Sequence, residues 1–196
     1  MKYFVITVAV LSFIVMVMAP LSGFAADFAA EKKGPYIEVK PGAYFSTGNL
    51  HDNGFDTVFT GEIAVGSYLN PNLAFEGEVG YFKTNASNAG VDKDIWVVPV
   101  TASLKIVLPF RGGEAYAGGG VGVYFATMET TVSGSSTDDS GAAFGGHGLL
   151  GFSVNISRRM FIGTEGRYIF TTKASLLDTK TNLDGFMLTG IIGFRL

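Results

Sequence analysis

The sequence predicts an all-β fold, an eight-stranded antiparallel up-and-down transmembrane β-barrel, from three observations. Apolar and polar residues alternate with a period of two along most of the chain. The segments between the alternating runs are short and long by turns. Beyond residue 25, no apolar segment reaches the ~18 residues of a membrane helix, although only 16% of the residues are charged. A closed barrel satisfies the backbone of such a chain in lipid.

The first residues have the order of a secretory signal peptide. Lys2 precedes the apolar run 3–19, and the small residues Gly23 and Ala25 follow it. This order predicts cleavage after Ala25. An uncleaved anchor is the alternative, because the run is nearly long enough to span a bilayer. The predicted division is a signal peptide at 1–25, a short linker at 26–34 and the barrel at 35–196.

Composition excludes several classes of function. The chain has no cysteine, so a disulfide, a thiolate metal site and a lipid-modified amino terminus are excluded. The signal peptide carries one of the 14 basic residues, which leaves 13 against 17 acidic ones. This balance does not indicate a nucleic-acid partner. We expect no cofactor and no metal.

Eight alternating runs are the predicted strands. In the first run, Ile37 and Val39 share one face, and Glu38 and Lys40 share the other. Runs of about ten residues with this pattern are typical of membrane strands, because one face meets lipid and the other meets the interior. The eight runs cover residues 36–45, 59–69, 73–81, 96–106, 115–125, 147–155, 162–170 and 186–196.

The connections between the runs support the same fold. Three are short, at Asn70–Asn72, Pro109–Gly113 and Ile156–Arg159. Four are long and polar, at Ser46–Asp56, Lys83–Lys93, Thr127–Gly141 and Thr171–Asp184. Outer-membrane barrels have short turns at the periplasmic rim and long loops outside the cell. The Thr, Ser, Gly and Asp content of the third long connection predicts a mobile loop.

The polar face is predicted to line the interior. A soluble lipid-binding barrel has the same period, with apolar residues inside and polar residues facing water. The polar face here carries roughly one charged residue per strand, which is fewer than a surface in contact with water carries. Five acidic and four basic residues on this face nearly balance, as ion pairing in a narrow interior requires. The predicted interior charge network consists of Glu38, Lys40, Glu62, Glu76, Glu78, Lys105, Glu165, Arg167 and Arg195.

Four short motifs resemble the small bacterial outer-membrane β-barrel family, often described as OmpA-like or porin-like eight-stranded barrel domains. The motifs are Val98-Pro99-Val100 before Lys105, the glycine-rich 116–122, Glu165-Gly166-Arg167-Tyr168, and the last strand 190–196. The resemblance implies residence in the outer membrane of a Gram-negative bacterium after signal-peptide cleavage, among outer-membrane lipids. It also implies insertion by the barrel-assembly machinery, which reads the last strand. That strand usually ends in Phe, whereas this one ends in Leu196.

The expected function is a non-enzymatic structural or surface-interaction role through the extracellular loops, with a surface ligand that the sequence does not name. One alternative is a narrow pore for small solutes or ions, since the interior carries charges and many glycines. The other is a lipid A-modifying enzyme. Deacylases of that kind resemble this chain in size and place a Ser two positions after a strand His, but Leu149 follows His147 at that spacing.

Other groups give the enzyme no better site. Ser153 lies six residues after His147, roughly 20 Å along a strand and out of reach of a general base. The pairs His51 with Asp52 and Ser87 with Asp92 fall in the long polar connections. Polar residues are ordinary there. No catalytic residue is therefore assigned.

Overall fold

The structure is a computed structural model, and the eight barrel strands it contains confirm the predicted fold class. It describes residues 34–47, 57–88, 91–132, 135–172, 174–176, 179–181 and 184–196. The predicted signal peptide and nearly all of the linker lie outside these residues. Within them, no helix is long and apolar enough to cross a membrane.

Ten strands follow one another in the described residues. They are β1 Pro35–Ser46, β2 Val58–Asn70, β3 Leu73–Asn88, β4 Val91–Phe110, β5 Gly113–Val132, β6 Ser135–Asn155, β7 Met160–Thr171, β8 Ala174–Leu176, β9 Thr179–Thr181 and β10 Gly185–Arg195. Every barrel strand pairs antiparallel with its neighbours, and β1 closes the ring against β10. The small strands β8 and β9 form a separate hairpin between β7 and β10.

The three predicted short turns join β2 to β3, β4 to β5 and β6 to β7. In the second turn, Gly112 has a φ of 88°, a left-handed conformation that side chains disfavour. The turns are also hydrogen-bonded to their surroundings. The Asn155 amide donates to the Gly112 carbonyl over 2.8 Å, and the Asn72 side chain donates to the Val107 carbonyl over 3.0 Å. This end of the barrel is therefore compact.

Two long connections at the opposite end are mostly strand, so the loop prediction for Lys83–Lys93 and Thr127–Gly141 was wrong. The pairing of β3 with β4 runs out to Asn88 and Val91, and that of β5 with β6 runs out to Val132 and Ser135. Thr and Val have high β propensity, and each hairpin extends strands that are already paired. The Ser, Gly and Asp content of these segments predicted loops, because composition does not report pairing with a neighbouring strand.

The apolar face points outward and the polar face inward, as predicted. Phe59, Val121 and Leu150 on the outer wall are about 70% exposed, whereas Lys40 and Glu76 on the inner wall are fully buried. A continuous apolar outer surface of this extent marks contact with a membrane rather than with water. This distribution contradicts a soluble barrel, in which the exposed and buried faces are exchanged.

The interior is filled in three layers. Near the long-connection rim is an apolar layer around Tyr44, whose ring stacks on Phe82 with the centroids 4.6 Å apart. A second apolar layer around Tyr36 and Phe161 lies near the short turns. The charged residues occupy the level between them. Small barrels are normally filled by their own side chains, and this one follows that rule.

Candidate functional site

The middle layer is the candidate site, and Lys40 of β1 is its central cation. The Lys40 Nζ lies 2.6 Å from a Glu76 oxygen, 3.1 Å from Glu78 and 3.4 Å from Glu165. It also lies 3.3 Å from Glu38 on its own strand. Alternation places Glu38 and Lys40 on the same face, and pairing of successive strands brings the other carboxylates to that level. One ammonium group therefore contacts residues of three strands.

Lys105 and Arg167 complete the positive side of the layer. The Lys105 Nζ lies 2.7 Å from Glu76 and 3.1 Å from Glu165, above the Tyr116 ring. The Arg167 guanidinium donates to Glu165 over 2.6 Å and to Glu78. Charge-assisted hydrogen bonds of this kind are about twice as strong as neutral ones.

The contact between Arg167 and Glu78 crosses the full width of the barrel. Arg167 belongs to β7 and Glu78 to β3, and these strands are four places apart in the ring of eight. Lys105 of β4 reaches Glu165 of β7 in a similar way. Groups on facing walls are thus in direct contact, and ion pairs span the lumen at this level.

Neutral side chains supply the remaining hydrogen bonds of the layer. The Tyr36 hydroxyl donates to Glu76 over 2.8 Å, and the Tyr116 hydroxyl donates to Glu165 over 3.0 Å. Ser103 donates to Glu78 over 3.0 Å. Because polar groups are costly to bury without partners, these bonds give the buried carboxylate oxygens hydrogen-bond donors in addition to the cations.

The structure brings eight of the nine predicted residues together. Arg195 is the exception, since its Nη2 donates to the Asn155 side chain over 2.8 Å and its guanidinium lies over the Phe161 ring. It sits at the short-turn end of β10, below the charged layer. Alternation along the strand predicts which face Arg195 is on, but it does not predict the level of Arg195 along the barrel axis.

Sequence reasoning missed the interior residue Glu114. It is buried and accepts a hydrogen bond from Tyr68 across the short-turn end of the barrel. The predicted turn ended at Gly113, and the predicted strand began at Ala115. The signal was present, because Glu114 lies two residues before the inward-facing Tyr116 and so shares its face.

His147 has a partner that the sequence analysis did not consider. Its Nε2 lies 2.8 Å from the Ser103 hydroxyl, which belongs to β4, two places away in the ring of strands. Ser103 is in turn bonded to Glu78, so the order is carboxylate, serine, histidine. In a hydrolytic triad the carboxylate orients the histidine, whereas the His147 Nδ1 makes no hydrogen bond within the described residues. Both side chains are buried.

The other predicted catalytic candidates gain no support. His51 and Asp52 lie outside the described residues. Ser87 and Asp92 are opposite each other in the β3–β4 pairing. In the part of the chain that the structure covers, no group of His, Cys, Asp or Glu is arranged to hold a metal ion.

An apolar groove lies on the outside of the wall formed by β4 to β7. Its volume is about 840 Å³, and its lining includes Val121, Phe125, Phe144 and Phe170. These side chains face outward among the other apolar residues of the barrel surface. The groove is therefore open to the hydrocarbon and not to the lumen.

Comparison with known families gives a match over nearly the whole chain. Residues 6–189 match the family described as the outer membrane protein beta-barrel domain. No curated protein sequence is significantly similar to the chain.

Solved structures of small barrels are similar in fold. OprG from Pseudomonas aeruginosa has 15% identity and a TM-score of 0.57, with 87% of this chain and 99% of that chain covered. Ail of Yersinia pestis, solved with the heparin analogue sucrose octasulfate, has 15% identity and a TM-score of 0.56, covering 83% and 97%. Neisserial surface protein A has 16% identity and a TM-score of 0.54, also covering 83% and 97%. At these identities the similarity concerns the fold alone.

Proposed function

Because the chain belongs to the outer membrane protein beta-barrel domain family, we propose that it is a closed, non-enzymatic barrel that presents a sheet at the cell surface for contact with extracellular molecules. The observation that carries this proposal is the length of three strands. β4 and β5 have 20 residues each and β6 has 21, whereas a tilted membrane strand needs about 9–11.

The excess length lies at one end of the barrel. The outward apolar residues of β4 begin at Trp96, and those of β6 begin at Ala142. The residues beyond this apolar band continue the pairing of β3, β4, β5 and β6. We call this extension the projecting sheet, and it consists of residues 83–88, 91–95, 127–132 and 135–141.

The net charge of the long connections indicates which class of partner fits this rim of the barrel. The four long connections carry eight acidic residues, namely Asp52, Asp56, Asp92, Glu129, Asp138, Asp139, Asp178 and Asp184. They carry four basic residues, namely Lys83, Lys93, Lys173 and Lys180. The resulting net charge of −4 disfavours polyanions and favours neutral or basic surfaces. A partner like the heparin analogue bound to Ail does not fit this rim.

The closed interior argues against the pore, and the Ser103–His147 pair argues against the enzyme. The pair lies inside the wall, and its histidine has no orienting carboxylate among the residues that the structure describes. Lipid A incubated with the protein should therefore keep its mass. A loss or gain of one acyl chain would favour the enzyme.

A shortened hairpin tests the role of the projecting sheet. Replacing residues 127–140 by Asn-Gly removes equal numbers of residues from β5 and β6, so the register of the Ala126–Gly141 pair below is kept. Wild type and variant are placed in nanodiscs and applied to an array of matrix proteins and glycans that includes heparin.

We expect the wild type to bind at least one neutral or basic component and not heparin. The shortened variant should lose this binding but retain the heat-modifiable gel mobility of a folded barrel. Equal binding by both proteins, or no binding by the wild type above empty nanodiscs, would contradict the proposed role.

A further inference from the structure

Three exposed arginines cluster on two adjacent short turns. Arg111 lies in the β4–β5 turn, and Arg158 and Arg159 lie in the β6–β7 turn. β5 and β6, which leave and enter these turns, are paired down to Gly113. The Asn155 amide also donates to the Gly112 carbonyl over 2.8 Å. The three exposed arginines therefore lie on one part of the rim, which we call the arginine patch.

Among the residues that the structure describes, the patch has no acidic counterpart. In the described part of the chain, no carboxylate lies within ion-pair distance of Arg111, Arg158 or Arg159. The acidic residue nearest to them in sequence, Glu114, points into the barrel and bonds to Tyr68. The three short turns together hold three basic residues and no acidic one. Glu114 lies just after the second turn, in β5.

Apolar neighbours determine the depth of the patch in the membrane. Phe110 precedes Arg111 directly and is half exposed on the outer wall, and Ile156 stands two residues before Arg158 with 57% exposure. Neighbouring strand residues are about 3.3 Å apart along the strand. Since the apolar side chains must lie in hydrocarbon, the guanidinium groups lie at its boundary, at the level of lipid phosphates.

We propose that the arginine patch binds the headgroups of anionic phospholipids in the periplasmic leaflet. Guanidinium groups bind phosphate through paired N–H donors. An anionic lipid such as phosphatidylglycerol brings no ammonium group of its own, so three cations without carboxylates favour it over a zwitterionic lipid. Peptidoglycan is a less suitable partner, because the flanking apolar residues hold the patch at the bilayer surface.

Electron spin resonance of reconstituted protein tests the proposal. Spin-labelled phosphatidylglycerol or spin-labelled phosphatidylcholine is added to phosphatidylcholine vesicles containing the barrel, and the immobilised fraction of each label is measured. The test variant combines Arg111→Gln, Arg158→Gln and Arg159→Gln. The matched control combines Lys93→Gln, Lys173→Gln and Lys180→Gln, which removes three cations from the long connections.

We expect the wild type and the control to immobilise more phosphatidylglycerol than phosphatidylcholine. The arginine variant should lose this difference, because each basic residue near the surface is worth about fivefold in lipid affinity. High salt added to the wild type should also reduce the difference, since exposed charges are screened. The salt measurement needs no variant and so does not depend on folding of the triple substitution.

Three results would overturn the proposal. The wild type could show no preference, or the arginine variant could keep it undiminished. In the third, the wild type would sediment with purified peptidoglycan sacculi and the arginine variant would not, although the two showed the same lipid preference; peptidoglycan would then be the partner.

Discussion

At the scale of single residues, the barrel interior depends on a few cations shared among several carboxylates. Lys40, Lys105 and Arg167 serve five glutamates, so each cation contacts at least two of them. In a buried layer, removal of one partner leaves the other uncompensated. Individual substitutions here should therefore have larger effects than the number of lost contacts suggests.

Arg167→Met should destabilise the barrel strongly. The substitution removes the only cation within ion-pair distance of Glu62 among the described residues, and it leaves five buried carboxylates with two cations. Loss of one partner of a buried pair lowers the free energy of unfolding by about 3–5 kcal/mol. The measurement is the urea midpoint of protein refolded in lipid vesicles, which should fall. Arg195 is partly exposed at the rim, so Arg195→Met should lower the free energy of unfolding by less than about 1 kcal/mol. Equal midpoints for the two variants would show that the charged layer does not stabilise the fold.

Glycine positions within one wall should differ in their tolerance of a methyl group. A Cβ at Gly120 would overlap the Ala102 carbonyl oxygen and come within 2.7 Å of the His147 ring, whereas a Cβ at Gly148 meets nothing within 4 Å. Gly120→Ala should therefore cost about 1–3 kcal/mol, and Gly148→Ala should change stability by less than about 0.5 kcal/mol. The urea midpoints of the two variants provide the comparison. Similar midpoints for the two variants would mean that the strands around Gly120 move apart without loss of stability.

At the scale of strands, the two rims of the barrel are different. β1, β2, β7 and β10 have 11 to 13 residues, while β4, β5 and β6 are nearly twice as long. Hydrogen-bonded pairing continues to the ends of these long strands. The rim of the long connections is therefore asymmetric, with the projecting sheet on one side and shorter strands on the other.

Single cysteines can locate the rims, because the chain has none of its own. Ser140→Cys places a thiol in the projecting sheet, and Pro71→Cys places one in the β2–β3 turn; both positions are exposed. On intact cells, a membrane-impermeant maleimide should label the first variant only. After permeabilisation it should label both. Labelling of Pro71→Cys alone on intact cells would mean that the short turns, and not the projecting sheet, face the outside of the cell.

The sequence predicted strands more reliably than their ends. Alternation gave the fold class and the face of Glu38, Lys40 and their partners, because a period of two is a direct consequence of strand geometry. It did not give the hairpin extensions, where pairing between neighbouring strands outweighs local composition. It also did not give the Ser103–His147 contact, because that distance depends on the register of strands far apart in sequence.

At the scale of the whole molecule, the barrel is a closed wall with oppositely charged rims. The long connections have a net charge of −4, and the short turns carry Arg111, Arg158 and Arg159. An apolar band for lipid lies between these rims, and the interior is filled by two apolar layers and a charged one. This organisation fits the proposed role, in which the rim of the long connections contacts other molecules while the interior holds the strands together.

Conductance across a planar bilayer tests the closed lumen most directly. Refolded wild-type protein should give no discrete current steps above those of a protein-free bilayer, because Arg167 and Glu78 are in contact across the full width of the barrel. Heat-modifiable gel mobility of the same sample verifies that the barrel is folded. Regular, reproducible current steps from the folded wild type would contradict the closed lumen and favour the narrow pore.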